Sequence, residues 1–186
     1  SAILAATTLP TAWFQVDPGD SDPTVFLTHL TEALRRARGF SPDLGQSTLT
    51  LLNSPEAGLE PQRIATVLVN ELGETLKNHC LLVLEDYHYI ASPVVHQLVD
   101  FLLENSPTEL RFIISTRADP PLALARRRSR MQMIEVRAAD LRFTREEALV
   151  FLNQAMRLGL SAADVDTLLR RTEGWIAGLQ MAALAM

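Results

Sequence analysis

Two acids and one cation follow apolar segments that lie about thirty residues apart in the chain. The run Leu81–Leu84 ends in Glu85 and Asp86, and the segment Arg111–Thr116 is followed by Arg117. Parallel strands of an open α/β sheet bind ligands beyond their carboxyl ends, and in many nucleotidases an acid at such an end holds Mg²⁺. We therefore expect a nucleotide site in which the two acids serve metal and water and the guanidinium of Arg117 contacts phosphate.

Strands and helices alternate in the part of the chain that carries these residues. The apolar patterns predict strands at Ala12–Val16, Cys80–Glu85, Arg111–Thr116 and Met133–Val136. They predict helices that begin near Pro23, Pro61, Pro93 and Leu122. Strands that alternate with helices of this length form βαβ units with a parallel sheet. The predicted fold class is therefore α/β.

Only helical patterns follow Leu141. Thr144 and Glu147 have the spacing of a capping box and precede an apolar stripe, and further amphipathic patterns continue to the end of the chain. We therefore predict two domains, an α/β core over residues 1–141 and the start of an all-helical domain over residues 142–186.

Composition excludes several classes of protein. Hydrophobic residues make up 47% of the chain and charged residues 21%, which is typical of a folded globular protein. There is neither an apolar run long enough to cross a membrane nor a signal-peptide pattern. The single Cys80 excludes an internal disulfide and indicates a reducing, cytoplasmic location. One cysteine and scattered histidines provide no zinc-binding spacing.

Three aspartates, Asp17, Asp20 and Asp22, resemble a cluster of oxygen ligands. Their spacing lacks the glycine and the distal glutamate of a calcium-binding loop. Because aspartate also stabilises turns and caps helices, turn formation and capping account for all three residues.

Arginine is concentrated in one part of the chain. Residues 111–145 contain nine arginines and three acidic residues, although the whole chain has a net charge of −5. The run Arg126–Arg130 is either a solvated helix face or a surface that binds phosphate or carboxylate groups. A protein-interaction module without a P-loop and a nucleic-acid-binding module therefore remain as alternatives. The overall acidity, the few aromatic side chains and the lack of a helix-turn-helix pattern argue against nucleic-acid binding.

An ordered series of motifs carries a family resemblance over essentially the whole chain. The motifs are Ala12–Asp17, Asp20–Pro23, Leu82–His88, Ser115–Pro121, Ala139–Thr144 and Arg171–Gln180. They resemble the MalT-like group of large ATP-binding LuxR-type transcriptional regulators, which are signal-transduction NTPases. The sequence has no Gly-x-x-x-x-Gly-Lys motif. The resemblance therefore implies a P-loop NTPase-like parallel sheet that lacks its P-loop strand, followed by the start of a helical domain.

The resemblance also assigns roles to individual residues. Ser1 would be the hydroxyl that follows the P-loop lysine, and Ser1, Glu85 and Asp86 would bind Mg²⁺. Glu85 and Asp86 would be the catalytic acids, and Arg117 would bind the γ-phosphate of ATP. Glu85 stands where the family usually has aspartate, which keeps the charge but lengthens the side chain by one methylene.

The function that the resemblance implies is an ATP-controlled switch. The partners would be ATP or ADP and, for a longer protein, other copies of itself, with DNA bound through a separate C-terminal domain. We expect a Gly-Lys loop directly before Ser1, slow Mg-dependent ATP hydrolysis by the longer protein, and neither hydrolysis nor tight ATP binding by this chain alone. We also expect Arg111–Thr116 and Met133–Val136 to be parallel strands about 10 Å apart, with a gap for one strand between them.

Overall fold

The chain forms two compact units, residues 1–126 and residues 127–186. The computed structural model describes residues 8–55, 58 and 60–185, so Ser1 lies outside the described residues. In the first unit the elements are β1 (Thr11–Gln15), α1 (Pro23–Arg36), α2 (Gln46–Leu52), α3 (Pro61–Thr75), β2 (Cys80–Glu85), α4 (Pro93–Asn105) and β3 (Leu110–Ile114). Helix α5 (Leu124–Ser129) contains the boundary between the units. The predicted domain boundary after Leu141 stays a prediction.

The three strands form one parallel sheet in the order β1-β2-β3. Trp13 pairs with Val83, and Val83 pairs with Ile113. The ladder continues past the last strand residues, because the Ser115 N–H donates to the Leu84 carbonyl at 2.9 Å. The predicted α/β fold class is confirmed, and the carboxyl ends of β2 and β3 lie side by side.

The strand that we predicted at Met133–Val136 is wrong. Residues 132–137 have no regular secondary structure, and the side chains of Ile134 and Val136 are 93% and 64% exposed. A short apolar segment becomes a strand only where a neighbouring strand accepts its backbone hydrogen bonds, and no described strand pairs with this segment. The gap that we expected between this strand and β3 is therefore not defined.

The sheet has two chemically different faces. Ala12, Phe14, Leu82 and Leu84 on one face belong to the main apolar core, together with the apolar stripes of α1, α3 and α4. The other face carries Trp13, Leu81 and Glu85, which are partly buried, and Arg111, which is exposed. Because side chains alternate between the two faces of a strand, the last residue of β2 points away from the main core.

The turn between β1 and α1 is built by the three aspartates. The Asp17 carboxylate accepts the Gly19 N–H at 2.7 Å, and the buried Asp20 accepts the Asp17 N–H at 2.7 Å. Asp22 caps α1 by accepting the N–H groups of Thr24 and Val25. The interpretation of these residues as turn and capping residues is confirmed.

The regular elements among the described residues after 142 are all helical. These are α6 (Arg145–Val150) with a π-helical turn at its end (Phe151–Ala155), α7 (Ala162–Thr172) and α8 (Ile176–Leu184). Thr144 and Glu147 form the capping box that the sequence predicts. A small apolar core lies around Leu152, Val165 and Leu179. Among the described residues, no helix combines the length and apolar content needed to span a bilayer.

Replacing the α1 cap should destabilise the first unit. We expect Asp22→Ala to lower the free energy of unfolding by about 1 kcal/mol, because the first N–H groups of α1 lose their acceptor. Asp22→Ser keeps an acceptor oxygen and should remain close to the original value. Urea unfolding followed by Trp13 fluorescence in a Trp175→Phe background measures both variants. Equal losses for the two would show that the hydrogen bond of the cap contributes nothing.

Candidate functional site

Glu85 lies on the face of the sheet opposite the main core, where a residue of the neighbouring strand β1 holds its side chain. Its Oε2 accepts a hydrogen bond from the indole Nε1 of Trp13 at 2.7 Å. Trp13 pairs with Val83, two residues before Glu85, so both side chains lie on the same face. This contact occupies one carboxylate oxygen of Glu85 and fixes the direction of the side chain.

Asp86, the next residue, has an unusual backbone conformation. Its φ of 57° and ψ of 36° are left-handed, which costs most L-residues about 1–2 kcal/mol but is tolerated better by aspartate. The Asp86 side chain is 38% exposed, and its Oδ1 lies 3.8 Å from the Nδ1 of His88. That distance is too long for a hydrogen bond. His88 Nδ1 is buried and has no hydrogen-bond partner among the described residues.

Ser115, just beyond β3, holds the Asp86 turn in this conformation. The Asp86 N–H donates to the Ser115 hydroxyl at 3.2 Å, and the Tyr87 N–H donates to the Ser115 carbonyl at 2.9 Å. The Ser115 N–H donates in turn to Leu84. Sequence reasoning did not single out this residue as functional. The feature of the sequence that could have identified Ser115 is its hydroxyl at the end of β3, the next strand after Glu85 and Asp86.

Tyr87 anchors the same turn from the core. Its side chain is 1% exposed, and its hydroxyl lies 2.9 Å from the Nδ1 of His96 on α4. Burial and the nearby Asp100 carboxylate raise the pKa of Tyr87. Burial lowers the pKa of His96, although Asp100 acts in the opposite direction. Near neutral pH both groups are therefore uncharged, and the tyrosine hydroxyl can donate to the imidazole.

Arg117 lies two residues beyond Ser115, in the loop after β3. Its side chain is exposed, and no acid pairs with it among the described residues. Because β2 and β3 are adjacent and parallel, the structure brings Glu85, Asp86 and Arg117 to the same edge of the sheet. The position of Ser1 relative to this edge is outside the described residues.

The donor atoms at this edge fit a hard cation that also binds phosphate. Among the described residues, no group of three or more histidine, cysteine or acidic side chains could enclose a metal. Mg²⁺ does not need such an enclosure, since it is commonly held by one or two carboxylates, water and substrate phosphates. Asp86 offers a partly exposed carboxylate for this purpose, and Arg117 offers a phosphate-binding group. The residues present therefore fit Mg²⁺ with a nucleotide.

Most of the concentrated arginines are engaged within the chain. The ion pairs are Arg126–Glu104, Arg128–Glu135, Arg137–Glu135, Arg142–Glu173 and Arg145–Asp166, with N–O distances of 2.6 to 3.1 Å. Hydrogen bonds and charge attraction from Arg128 and Arg137 lower the pKa of the Glu135 carboxyl to about 2. The net positive count of this segment therefore overstates the cationic surface that is free to bind a partner.

Several known proteins are similar in sequence to most of this chain. No family model matches the chain. The chain is 34% identical over 176 residues to the serine/threonine-protein kinase PknK of Mycobacterium tuberculosis, covering 94% of this chain and 15% of the kinase. It is 30% identical to the HTH-type transcriptional regulator MalT of Vibrio parahaemolyticus, covering 92% of this chain and 18% of that protein. MalT of Cronobacter sakazakii is also 30% identical, with 93% and 19% covered. The chain thus spans less than a fifth of these relatives.

The left-handed turn predicts an order of stability for two variants of Asp86. Asp86→Gly and Asp86→Ala both remove the carboxylate and differ only in the Cβ atom. Because only glycine adopts the left-handed conformation without steric cost, the glycine variant should be more stable by about 1 kcal/mol. Urea unfolding of the two proteins measures the difference. Greater stability of the alanine variant would mean that the turn is not left-handed in solution.

Proposed function

Since the chain is homologous to a segment of MalT-type transcriptional regulators and of the kinase PknK, we propose that it is a nucleotide-binding switch module. The observation that supports the proposal is that Asp86 and Arg117 follow the carboxyl ends of two adjacent parallel strands. This edge is where open α/β sheets bind their ligands. The proposed ligands are ATP or ADP with Mg²⁺.

Each residue at the edge has a distinct role in the proposal. Asp86 holds Mg²⁺, which supplies charge neutralisation for the phosphates when it is bound. Glu85 keeps one oxygen on Trp13 and presents the other oxygen to metal or water. Arg117 binds the terminal phosphate through its forked N–H groups. Ser1 completes the metal ligands in the proposal, as the hydroxyl that follows a phosphate-binding loop.

The proposed switch depends on the difference between ATP and ADP. A ligand shifts a conformational equilibrium only by its differential affinity for the two states. Arg117 can provide that difference, because only ATP has the γ-phosphate that Arg117 binds in this proposal. In a longer regulator we propose that this shift controls self-association, that slow hydrolysis resets it, and that a separate domain binds DNA.

The alternative proposal, an interaction module that uses its arginine-rich face, has weaker support. The observation that favours it is the concentration of arginines between residues 111 and 145. The ion pairs of these arginines with Glu104, Glu135, Asp166 and Glu173 count against it. A partner would have to break or replace those pairs in order to bind there.

A titration followed by NMR tests the nucleotide proposal on the chain itself. We expect Mg-ATP to bind weakly, with a dissociation constant on the order of 1 mM or about −4.1 kcal/mol, because few phosphate contacts are available from this edge alone. The amide signals of residues 85–87 and 115–118 should shift during the titration. Calorimetry should detect neither micromolar binding nor turnover.

Three controls separate the nucleotide site from general attraction of anions. Asp86→Asn should remove the part of the shift that depends on Mg²⁺, and Arg117→Gln should reduce the difference between ATP and ADP. AMP, which lacks the outer phosphates, should leave residues 115–118 nearly unchanged. Equal responses to AMP and ATP, centred on residues 126–130, would overturn the proposal in favour of the arginine-rich face.

A further inference from the structure

Helix α4 carries three polar side chains at intervals of four residues. His96, Asp100 and Glu104 therefore lie along one stripe of the helix. Each of them bonds to a different segment outside α4. His96 contacts the Tyr87 hydroxyl, Asp100 accepts the Ala123 N–H, and Glu104 pairs with Arg126. The stripe thus connects the turn after β2 with Ala123 and with the first turn of α5.

The loop that contains Arg117 is fixed at both of its ends. At its start, Ser115 bonds to Leu84 and to the Asp86 turn. At its far end, both carboxylate oxygens of Asp100 accept the Ala123 N–H, at 3.1 and 3.2 Å. Leu122, beside this end, is buried in the main core. Both ends of the loop that contains Arg117 are therefore anchored, one to the Asp86 turn and the other to α4.

These contacts close a ring around the sheet edge. From Asp86 the ring runs through Ser115 and the Arg117 loop to Ala123, then through Asp100 along α4 to His96 and Tyr87. Tyr87 is covalently joined to Asp86, so the two charged candidates for ligand binding belong to one closed set of contacts. Burial and, to a smaller extent, the Asp100 carboxylate raise the pKa of Tyr87.

We propose that Asp100 is a positioning residue that sets the Arg117 loop and, through His96 and Tyr87, keeps that loop in register with the Asp86 turn. Asp100 itself contacts no ligand in this proposal. The inference rests on the proposed function only for the statement that Asp86 and Arg117 bind a nucleotide and Mg²⁺. The mechanical coupling between the two segments is a property of the chain alone and can be measured without nucleotide.

A purely local role for Asp100 makes a different prediction. If its carboxylate only satisfied the Ala123 N–H, then its removal would disturb the residues near Ala123 and leave the Asp86 turn unchanged. Coupling requires an effect on both segments. It also requires that a change at Tyr87 affects the loop at Ala123, although Tyr87 and Ala123 share no hydrogen bond.

Amide hydrogen exchange on the chain without nucleotide distinguishes the two roles. We expect Asp100→Ala to raise exchange about tenfold at Ala123 and also at Asp86 and Tyr87, which corresponds to about 1.4 kcal/mol of local stability. Tyr87→Phe, which keeps the ring but removes the hydroxyl, should raise exchange at Ala123. In the double variant the two effects should be less than additive, because both changes open the same ring.

Matched variants control for general destabilisation. Glu104→Ala removes an acid from the same stripe and should raise exchange only around Arg126. Asp100→Asn keeps one acceptor oxygen and should restore most of the protection at Asp86. If the Asp100→Ala protein does not fold, Tyr87→Phe read at Ala123 takes its place. Unchanged exchange at Asp86 in Asp100→Ala, or unchanged exchange at Ala123 in Tyr87→Phe, would overturn the inference. The nucleotide titration can fail while this coupling is present, so failure of one proposal is distinguishable from failure of the other.

Discussion

The parallel pairing of β2 with β3, extended by Ser115, is the constraint on which the candidate site depends. Ser115 donates to Leu84 and accepts from two consecutive N–H groups, those of Asp86 and Tyr87. Backbone polar groups near a core need such partners, and this set of partners is available only if the chain turns sharply after Glu85. The left-handed conformation of Asp86 is the result. The same pairing that builds the sheet therefore determines where the candidate metal-binding carboxylate lies.

Local sequence signals predicted most of the first unit, because its elements are encoded by neighbouring residues. Proline at the first turn marks α1, α3 and α4, and Asp22 marks the start of α1 by capping it. In the second unit, Thr144 marks a helix start in the same way. The prediction of a strand at Met133–Val136 was wrong for the opposite reason, since a short apolar segment does not indicate whether a partner strand is present. Pairing is a long-range property, and a strand without a partner is not stable as a strand.

The charged residues of the candidate site could be predicted from the sequence. The hydrogen bonds that hold those residues in place could not. Glu85, Asp86 and Arg117 stand out because charges directly follow apolar runs. The Trp13–Glu85 hydrogen bond joins residues 72 positions apart, and Tyr87–His96 joins a turn to a helix. Both depend on strand register and helix rotation, which apolar periodicity does not specify to within one residue. These two contacts could therefore be identified only from the structure, although the residues that form them are visible in the sequence.

The charged side chains discussed above form two groups, those in ion pairs within the chain and those at the candidate site. Exposed pairs such as Arg128–Glu135 and Arg145–Asp166 contribute little stability, because water and salt screen the attraction between exposed charges. Their main effect is to cancel a positive field that the sequence alone overstates. Arg117 and Asp86 differ, because the guanidinium has no acid partner among the described residues and the carboxylate makes only a long contact with His88. Both groups have unused hydrogen-bonding capacity at one sheet edge, which the proposed nucleotide and Mg²⁺ would use.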